Sequence, residues 1–283
     1  MLVVNKIDEL RKVLKEKRKG GCSVGFVPTM GALHAGHASL IRRSAREHGC
    51  TVVSIFVNPS QFNEVSDFEK YPKNQENDRI IAENEGASIL FCPEANEIYP
   101  DGFETSVIVG QVADTLCGAA RPGHFRGVAG IVLKLLNIVQ PDDAYFGQKD
   151  AQQIAVIKKM VRDLNLDVRI EACPIIRERD GLAMSSRNIF LNDTERSEAV
   201  ILPTALETAK RLVREGVRET GEIKKCVASL IGRSKLAEVD YIEIVDADTM
   251  QTVPSVNGRA LLALAVRFGK TRLIDNIMLQ VYN

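Results

Sequence analysis

Two histidines three residues apart, His34 and His37, close a run that reads Pro28-Thr29-Met30-Gly31-Ala32-Leu33-His34-Ala35-Gly36-His37. The run leaves a β-branched, apolar stretch and enters a helix-period stretch. Its glycines let backbone approach a ligand closely, and a helix start offers free N–H groups to an anion. At that spacing the two imidazoles face the same way. They would suit a polyphosphate whose negative charge grows as a pyrophosphate group leaves. Two plain surface histidines, or a metal pair, are the alternatives; a metal pair usually needs further Cys, His or carboxylate ligands, and none is adjacent.

Four more stretches carry reactive types. Asn58 and Gln61, in Val57-Asn58-Pro59-Ser60-Gln61-Phe62, are amides that can read a hydroxyl and a carboxylate, although Asn-Pro is also a common turn pair. In Phe146-Gly147-Gln148-Lys149-Asp150-Ala151-Gln152-Gln153, Gly147 permits close approach and Lys149 is a point charge for phosphate. Asp150 can cap a helix or accept from a ribose hydroxyl, and Gln153 lies one turn further on. A capped helix with an exposed lysine fits that stretch as well. Arg177 to Asn188 is polar, and its Met184, Ser185, Ser186 and Arg187 could close over a triphosphate or simply sit in a linker. Arg121-Pro122-Gly123-His124-Phe125-Arg126-Gly127 could anchor an anionic substrate through His124 or cap the apolar helix that follows.

The elements that must position these residues can be read from periodicity. Ile7, Leu10, Val13 and Leu14 mark one helix face, and Leu40, Ile41 and Ala45 another. Strand-like runs fall at 23–29, 51–58, 87–93, 143–147 and 167–174, with helix-period segments between them. Near-continuous apolar strands alternating with helices predict a parallel sheet. Ligands of such sheets bind beyond the carboxyl ends of the strands, so the loops after 29, 58, 147 and 174 are the ones to inspect. After about 176 the texture changes to helical stretches near 194–214 and 219–232, then strands at 239–247, 259–268 and 271–279, the last two a hairpin across Gly269 and Lys270. The expected organisation is an α/β domain over 1–175 and a smaller C-terminal α+β domain over 176–283.

Composition removes several classes. With 37 Lys+Arg against 37 Asp+Glu, the chain lacks the basic excess of a general nucleic-acid binder. The run Lys15 to Lys19 reads as a solvated helix end. Apolar runs are too short to span a bilayer, and the first residues lack a signal-peptide pattern, so a cytoplasmic location is expected. The six cysteines contain no CxxC pair; Cys50, Cys92 and Cys173 fall at or near strands and read as buried, reduced thiols.

Taken together the motifs carry a resemblance. PTMGALHAGH resembles the HxGH signature of the nucleotidylyltransferase superfamily, and MSSRN its KMSKS-type loop. The ordered set FVPTMGALHAGH, SIFVNPSQF, YPKN, RPGHFRGV, FGQKDAQQ and RERDGLAMSSRN is similar to the pantoate–β-alanine ligase family. The resemblance implies a Rossmann-like first domain, a C-terminal lid domain, and a two-step ligation of pantoate and β-alanine through a pantoyl adenylate, with ATP as substrate and AMP and pyrophosphate released. It implies that Met30, Gly31, Ala32, Leu33, His34, Ala35, Gly36 and His37 cradle ATP, with His37 a general acid and His34 its partner. Gly147, Gln148, Lys149, Asp150 and Ile176 would hold the adenosine part, and Met184, Ser185, Ser186 and Arg187 would close on the triphosphate. Lys149 and Arg187 would join the histidines in stabilising charge. Gln61, Gln153, Asn58 and His124 would bind pantoate and β-alanine. It further implies Mg²⁺, with Asp78 as a ligand, and a homodimer formed through the region of Val107, Ile108 and Val109 and the apolar helix after it. The rivals are another nucleotidylyltransferase acting on a phosphorylated substrate, a tRNA synthetase relative, and an ATP-binding sensor without turnover.

Overall fold

The computed structural model describes residues 1–63 and 68–281. The chain divides into two compact units. The first comprises Met1–Val109, Arg121–Gln148 and Val156–Pro174; the second comprises Gly110–Ala120, Lys149–Ala155 and Ile175–Asn283.

The first unit is built on a six-stranded parallel sheet in the order β1-β4-β3-β2-β5-β6. The strands are β1 (Leu2–Val4), β2 (Val24–Thr29), β3 (Cys50–Ile55), β4 (Ile89–Phe91), β5 (Asp143–Gly147) and β6 (Arg169–Cys173). Alternation along the central strands explains their unbroken apolar character, because both faces are covered. Val27, Val53 and Leu90 align across one face. They are packed with Leu40 and Ile41 of the helix Ala35–Glu47 and Ala82 of the helix Gln75–Asn84. Phe26, Val52 and Ile89 align across the other face. The helix His124–Val139 packs against β2 and against the helix Ile7–Lys19. β3 stops at Ile55, short of the expected 58, where the chain enters a 3₁₀ turn at Pro59–Gln61. β1 gives no pattern in the sequence because it is three residues long and Leu2 and Val3 are exposed.

In the second unit β7 (Ala237–Asp246), β8 (Arg259–Phe268) and β9 (Thr271–Gln280) form an antiparallel sheet. Leu262, Leu264 and Val266 of β8 point into a core shared with Leu202, Leu206, Ala209 and Val213 of the helix Ile201–Arg214 and Ile223, Val227 and Ile231 of the helix Thr220–Ile231. The segment expected as one helix over 194–214 is two, Asp193–Glu198 and Ile201–Arg214. Pro203 explains the break: its ring would strike the carbonyl of Ala199 in a continuous helix, whereas in a first turn its missing N–H costs nothing.

Candidate functional site

The strand order reverses at β2. From β2 the chain steps through β3 and β4 in one direction, whereas β5 and β6 lie on the opposite side of β2. A crevice beyond the carboxyl ends of β2 and β5 is where such a sheet takes its ligand. Those ends are Thr29 and Gly147, and Gly147 leads into the 3₁₀ turn Gln148–Asp150.

The loop after β2 is held in a costly conformation. Gly31 has φ +84° and Ala32 φ +51°, the latter a left-handed position that disfavours a side chain. Thr29 Oγ1 donates to the Ser54 carbonyl at 2.7 Å and accepts from the Gly31 N–H at 3.2 Å. Asp78 closes the clasp: its Oδ2 accepts from the Ala32 N–H at 2.9 Å and its Oδ1 from the Leu33 N–H at 2.7 Å. Asp78 is 1% exposed, and burial pushes its carboxyl above the ordinary value despite the two N–H donors that favour the anion. A Cβ on Gly31 would lie 2.9 Å from Asp78 Oδ2. Asp78, which the family resemblance offers as a metal ligand, therefore has both oxygens engaged by backbone. Among the described residues no group of three His, Cys, Asp or Glu side chains could hold a metal ion.

His34 and His37 meet at the start of the helix Ala35–Glu47. His34 is the N-cap and its Nδ1 accepts from the Gly36 N–H at 3.1 Å; His37 Nδ1 accepts from the His34 N–H at 3.3 Å. The pair is a capping box made of imidazoles, with ring centroids 4.2 Å apart. An imidazole that accepts at Nδ1 carries its proton at Nε2 when neutral. The hydrogen bonds thus assign each ring an Nε2–H donor, at a helix terminus that already favours anions.

The loop after β3 is organised around Asn58, which is wholly buried. Its Oδ1 accepts from the Tyr99 hydroxyl at 2.8 Å, the Ser60 hydroxyl at 2.9 Å and the Ser60 N–H at 3.3 Å. Its Nδ2 donates to Gln61 Oε1 at 3.1 Å and to the Gly127 carbonyl at 3.2 Å. Gly127 is required there: an added Cβ would lie 2.3 Å from the Ser60 carbonyl oxygen. Gln61 Nε2 donates to Met30 Sδ, which joins this loop to the one after β2. His124 Nδ1 donates to the Gln61 carbonyl at 2.8 Å, and Arg121 Nη2 donates to the same oxygen at 3.2 Å. Asn58 and His124 thus act on Gln61 in this structure, one on its side chain and one on its backbone.

In the second unit, Lys149 Nζ lies 3.6 Å from Asp150 Oδ1, and the Lys149 carbonyl accepts from Asn276 Nδ2 at 2.9 Å. The neighbouring glutamines divide their work. Gln152 is buried and pins the segment Gly110–Ala120, donating to the Val112 and Thr115 carbonyls and accepting from the Cys117 N–H. Gln153 is half-buried and its side chain has no hydrogen-bond partner among the described residues.

The segment from Ile176 to Arg187 is braced rather than slack. Arg177 makes a two-pronged pair with Asp275, at 2.6 and 3.0 Å, and donates to the Gly181 carbonyl. Met184 N–H donates to the Ile176 carbonyl, and Asn188 Nδ2 ties Glu178 to the Ala183 carbonyl. Ser185 Oγ accepts from the Arg187 N–H and so caps the 3₁₀ turn Ser186–Phe190. Tyr99 and Asp275 escape a reading by motif, because each acts across a long sequence separation. Arg121 and Gly127 lie within the RPGHFRGV stretch, but their contacts with the loop after β3 are visible only in the fold.

Comparison with known proteins gives a consistent result. The sequence model of the pantoate-beta-alanine ligase family matches residues 2–278. The pantothenate synthetase of Caldicellulosiruptor saccharolyticus is 53% identical over 281 residues, covering 99% of this chain and 100% of that one. The crystal structure of pantothenate synthetase from Thermus thermophilus superposes with a TM-score of 0.94 at 39% identity, covering 99% of this chain and 100% of that one. A crystal structure of pantoate-beta-alanine ligase from Francisella tularensis, described as complexed with beta-gamma ATP and beta-alanine, gives a TM-score of 0.79 at 35% identity, covering 98% and 97%.

Proposed function

The chain belongs to the pantoate–β-alanine ligase family, and on that premise we propose that it makes pantothenate from pantoate, β-alanine and ATP through a pantoyl adenylate. A pantoate carboxylate oxygen attacks the α-phosphorus, the bond from that phosphorus to the bridging oxygen breaks, and pyrophosphate leaves. The β-alanine amine then attacks the acyl carbon, loses a proton, and AMP departs. The protein contributes position and charge stabilisation and no nucleophile.

The observation that carries this reading is the imidazole capping box at the switch point of the sheet. Two Nε2–H donors and the first-turn N–H groups suit the phosphates, and His37 suits the oxygen that gains charge as pyrophosphate leaves. Met30 to His37 and Gly147 to Asp150 take ATP, with Ile176 on the adenosine part. Lys149 and Met184 to Arg187 serve the phosphates. Gln61 and Gln153 bind the small substrates, and Asn58 and His124 support Gln61. Magnesium enters with ATP: a small, strongly hydrated cation is commonly held by phosphate oxygens and water with few protein ligands, which fits a chain whose Asp78 is occupied by backbone. The same reading includes a cytoplasmic homodimer, and the 78% exposure of Ile108 supports the stretch Val107 to Val109 as part of its contact surface. No described helix is long and apolar enough to cross a membrane.

Exchange of labelled pyrophosphate into ATP in the absence of β-alanine tests the intermediate. Exchange that requires pantoate, and that collapses in His37→Ala, is expected. Net pantothenate formation without any such exchange would exclude a reversible adenylate.

A further inference from the structure

We infer that Tyr99 is a positioning residue of the pantoate and β-alanine site, fixing through Asn58 which end of the Gln61 amide is offered to substrate. The inference rests on the assignment of Gln61 to that site. An amide can be turned end for end with little change in shape, so its hydrogen-bond partners decide its orientation. Asn58 Oδ1 faces the Tyr99 hydroxyl, the Ser60 hydroxyl and the Ser60 N–H. Its Nδ2 faces two acceptors, Gln61 Oε1 and the Gly127 carbonyl. Turning Asn58 over would set an oxygen against the Gly127 carbonyl and an NH₂ against the Ser60 N–H.

The two donors from Ser60 are local to the turn, two residues away. Tyr99 is the donor that comes from elsewhere in the chain, 41 residues on. It sits at the end of the short helix Ala95–Ile98. Its ring stacks edge-on against Phe103 at 5.1 Å and lies 6.1 Å from Phe56, with Lys134 Nζ 4.4 Å from the Phe103 ring and 5.8 Å from that of Tyr99. The hydroxyl is therefore held by a packed aromatic cluster, and burial pushes its ionisation upward, so it remains a donor.

The consequence is chemical. Asn58 fills one lone pair of Gln61 Oε1, and among the described residues the two hydrogens of the Gln61 NH₂ have one acceptor, Met30 Sδ. Gln61 reads its substrate as a donor. The partner of that NH₂ is an acceptor oxygen, either a carboxylate or a hydroxyl oxygen.

The test is steady-state kinetics of full-length Tyr99→Phe with ATP, Mg²⁺, pantoate and β-alanine, alongside thermal unfolding. Loss of one orienting hydrogen bond should raise the KM for pantoate and β-alanine by about three- to ten-fold, with kcat and the KM for ATP within about two-fold of wild type. In a Gln61→Ala background the same change should add nothing. Ser60→Ala, which removes a second donor from the same oxygen together with the 3.4 Å contact of the Ser60 hydroxyl to that of Tyr99, and keeps the aromatic rings, should move the same two constants in the same direction. Wild-type constants in Tyr99→Phe would overturn the inference. So would a uniform loss in kcat and all three KM values, or full additivity with Gln61→Ala. A wild-type chain that releases no AMP with both small substrates would refute the ligase reading itself, whereas an active wild type with an unaltered Tyr99→Phe refutes only the role of Tyr99.

Discussion

Replacing Asp78 by asparagine separates its work as a clasp from work as a metal ligand. The side chain keeps its volume and one acceptor, but its NH₂ then confronts the N–H of Ala32 or Leu33. Leaving one buried N–H without an acceptor costs about 1–3 kcal/mol, and the hydrogen bonds to a charged acceptor that are lost are of similar size. Burial of the carboxylate offsets part of that gain, as the raised Asp78 carboxyl indicates, so a net loss near 2 kcal/mol is expected, about thirty-fold in the unfolding equilibrium. The sign of the pH dependence follows. A carboxyl raised in the folded chain makes wild-type stability fall as pH climbs from the ordinary value of 3.8 through the folded one; asparagine lacks that loss, so the variant's deficit shrinks towards neutral pH. Urea unfolding with an unchanged slope reads the stability, and AMP release titrated with ATP and Mg²⁺ reads the loop. The KM for ATP should rise because the backbone at Ala32 and Leu33 loses a contact that holds the left-handed conformation of Ala32. An unaltered urea midpoint, or an activity defect restored by excess Mg²⁺, would refute the clasp and favour a metal ligand.

Three further outcomes are expected. Gly127→Ala sets a Cβ against backbone at Ser60, and overpacking of that kind costs about 1–3 kcal/mol; thermal unfolding should fall and the KM for pantoate should rise, whereas an unchanged KM would detach Gly127 from the placement of Gln61. Arg177→Ala strands Asp275, whose side chain is 1% exposed, at a cost near the low end of about 3–5 kcal/mol because Arg177 itself is partly exposed; urea unfolding checks it, and a loss below that range would mean Asp275 finds another partner. The Arg169 guanidinium, with His48, holds the Asp143 carboxyl below its ordinary range. The stability Asp143 contributes is therefore present above pH 3.8 and lost as pH falls through the depressed value, and Asp143→Asn should flatten the acid limb of a stability–pH curve.

The sheet was legible because its strands are buried on both faces and read as apolar runs, and the first loop because a strand, two glycines and two histidines fall within fourteen residues. The capping role of the imidazoles was not legible: His is not an ordinary capping residue, and only the geometry reveals both Nδ1 atoms turned to backbone. Asn58 and Gln61 look alike in the sequence, yet Asn58 is wholly buried and spends its amide on the turn and on distant segments while Gln61 is half-buried. That difference is made by Tyr99 and Gly127, 41 and 69 residues away. Gln152 and Gln153 divide in the same way, since the contact that buries Gln152 comes from Val112 and Thr115. Local pattern places chemistry on the correct strand ends; which neighbour faces ligand is decided by packing from distant segments.

The central claim is tested most directly by AMP release from the purified chain with ATP, Mg²⁺, pantoate and β-alanine, omitting one component at a time. Stoichiometric AMP and pantothenate that require both small substrates are the expected result. ATP binding with no AMP, or a product that retains the nucleotide, would contradict the account.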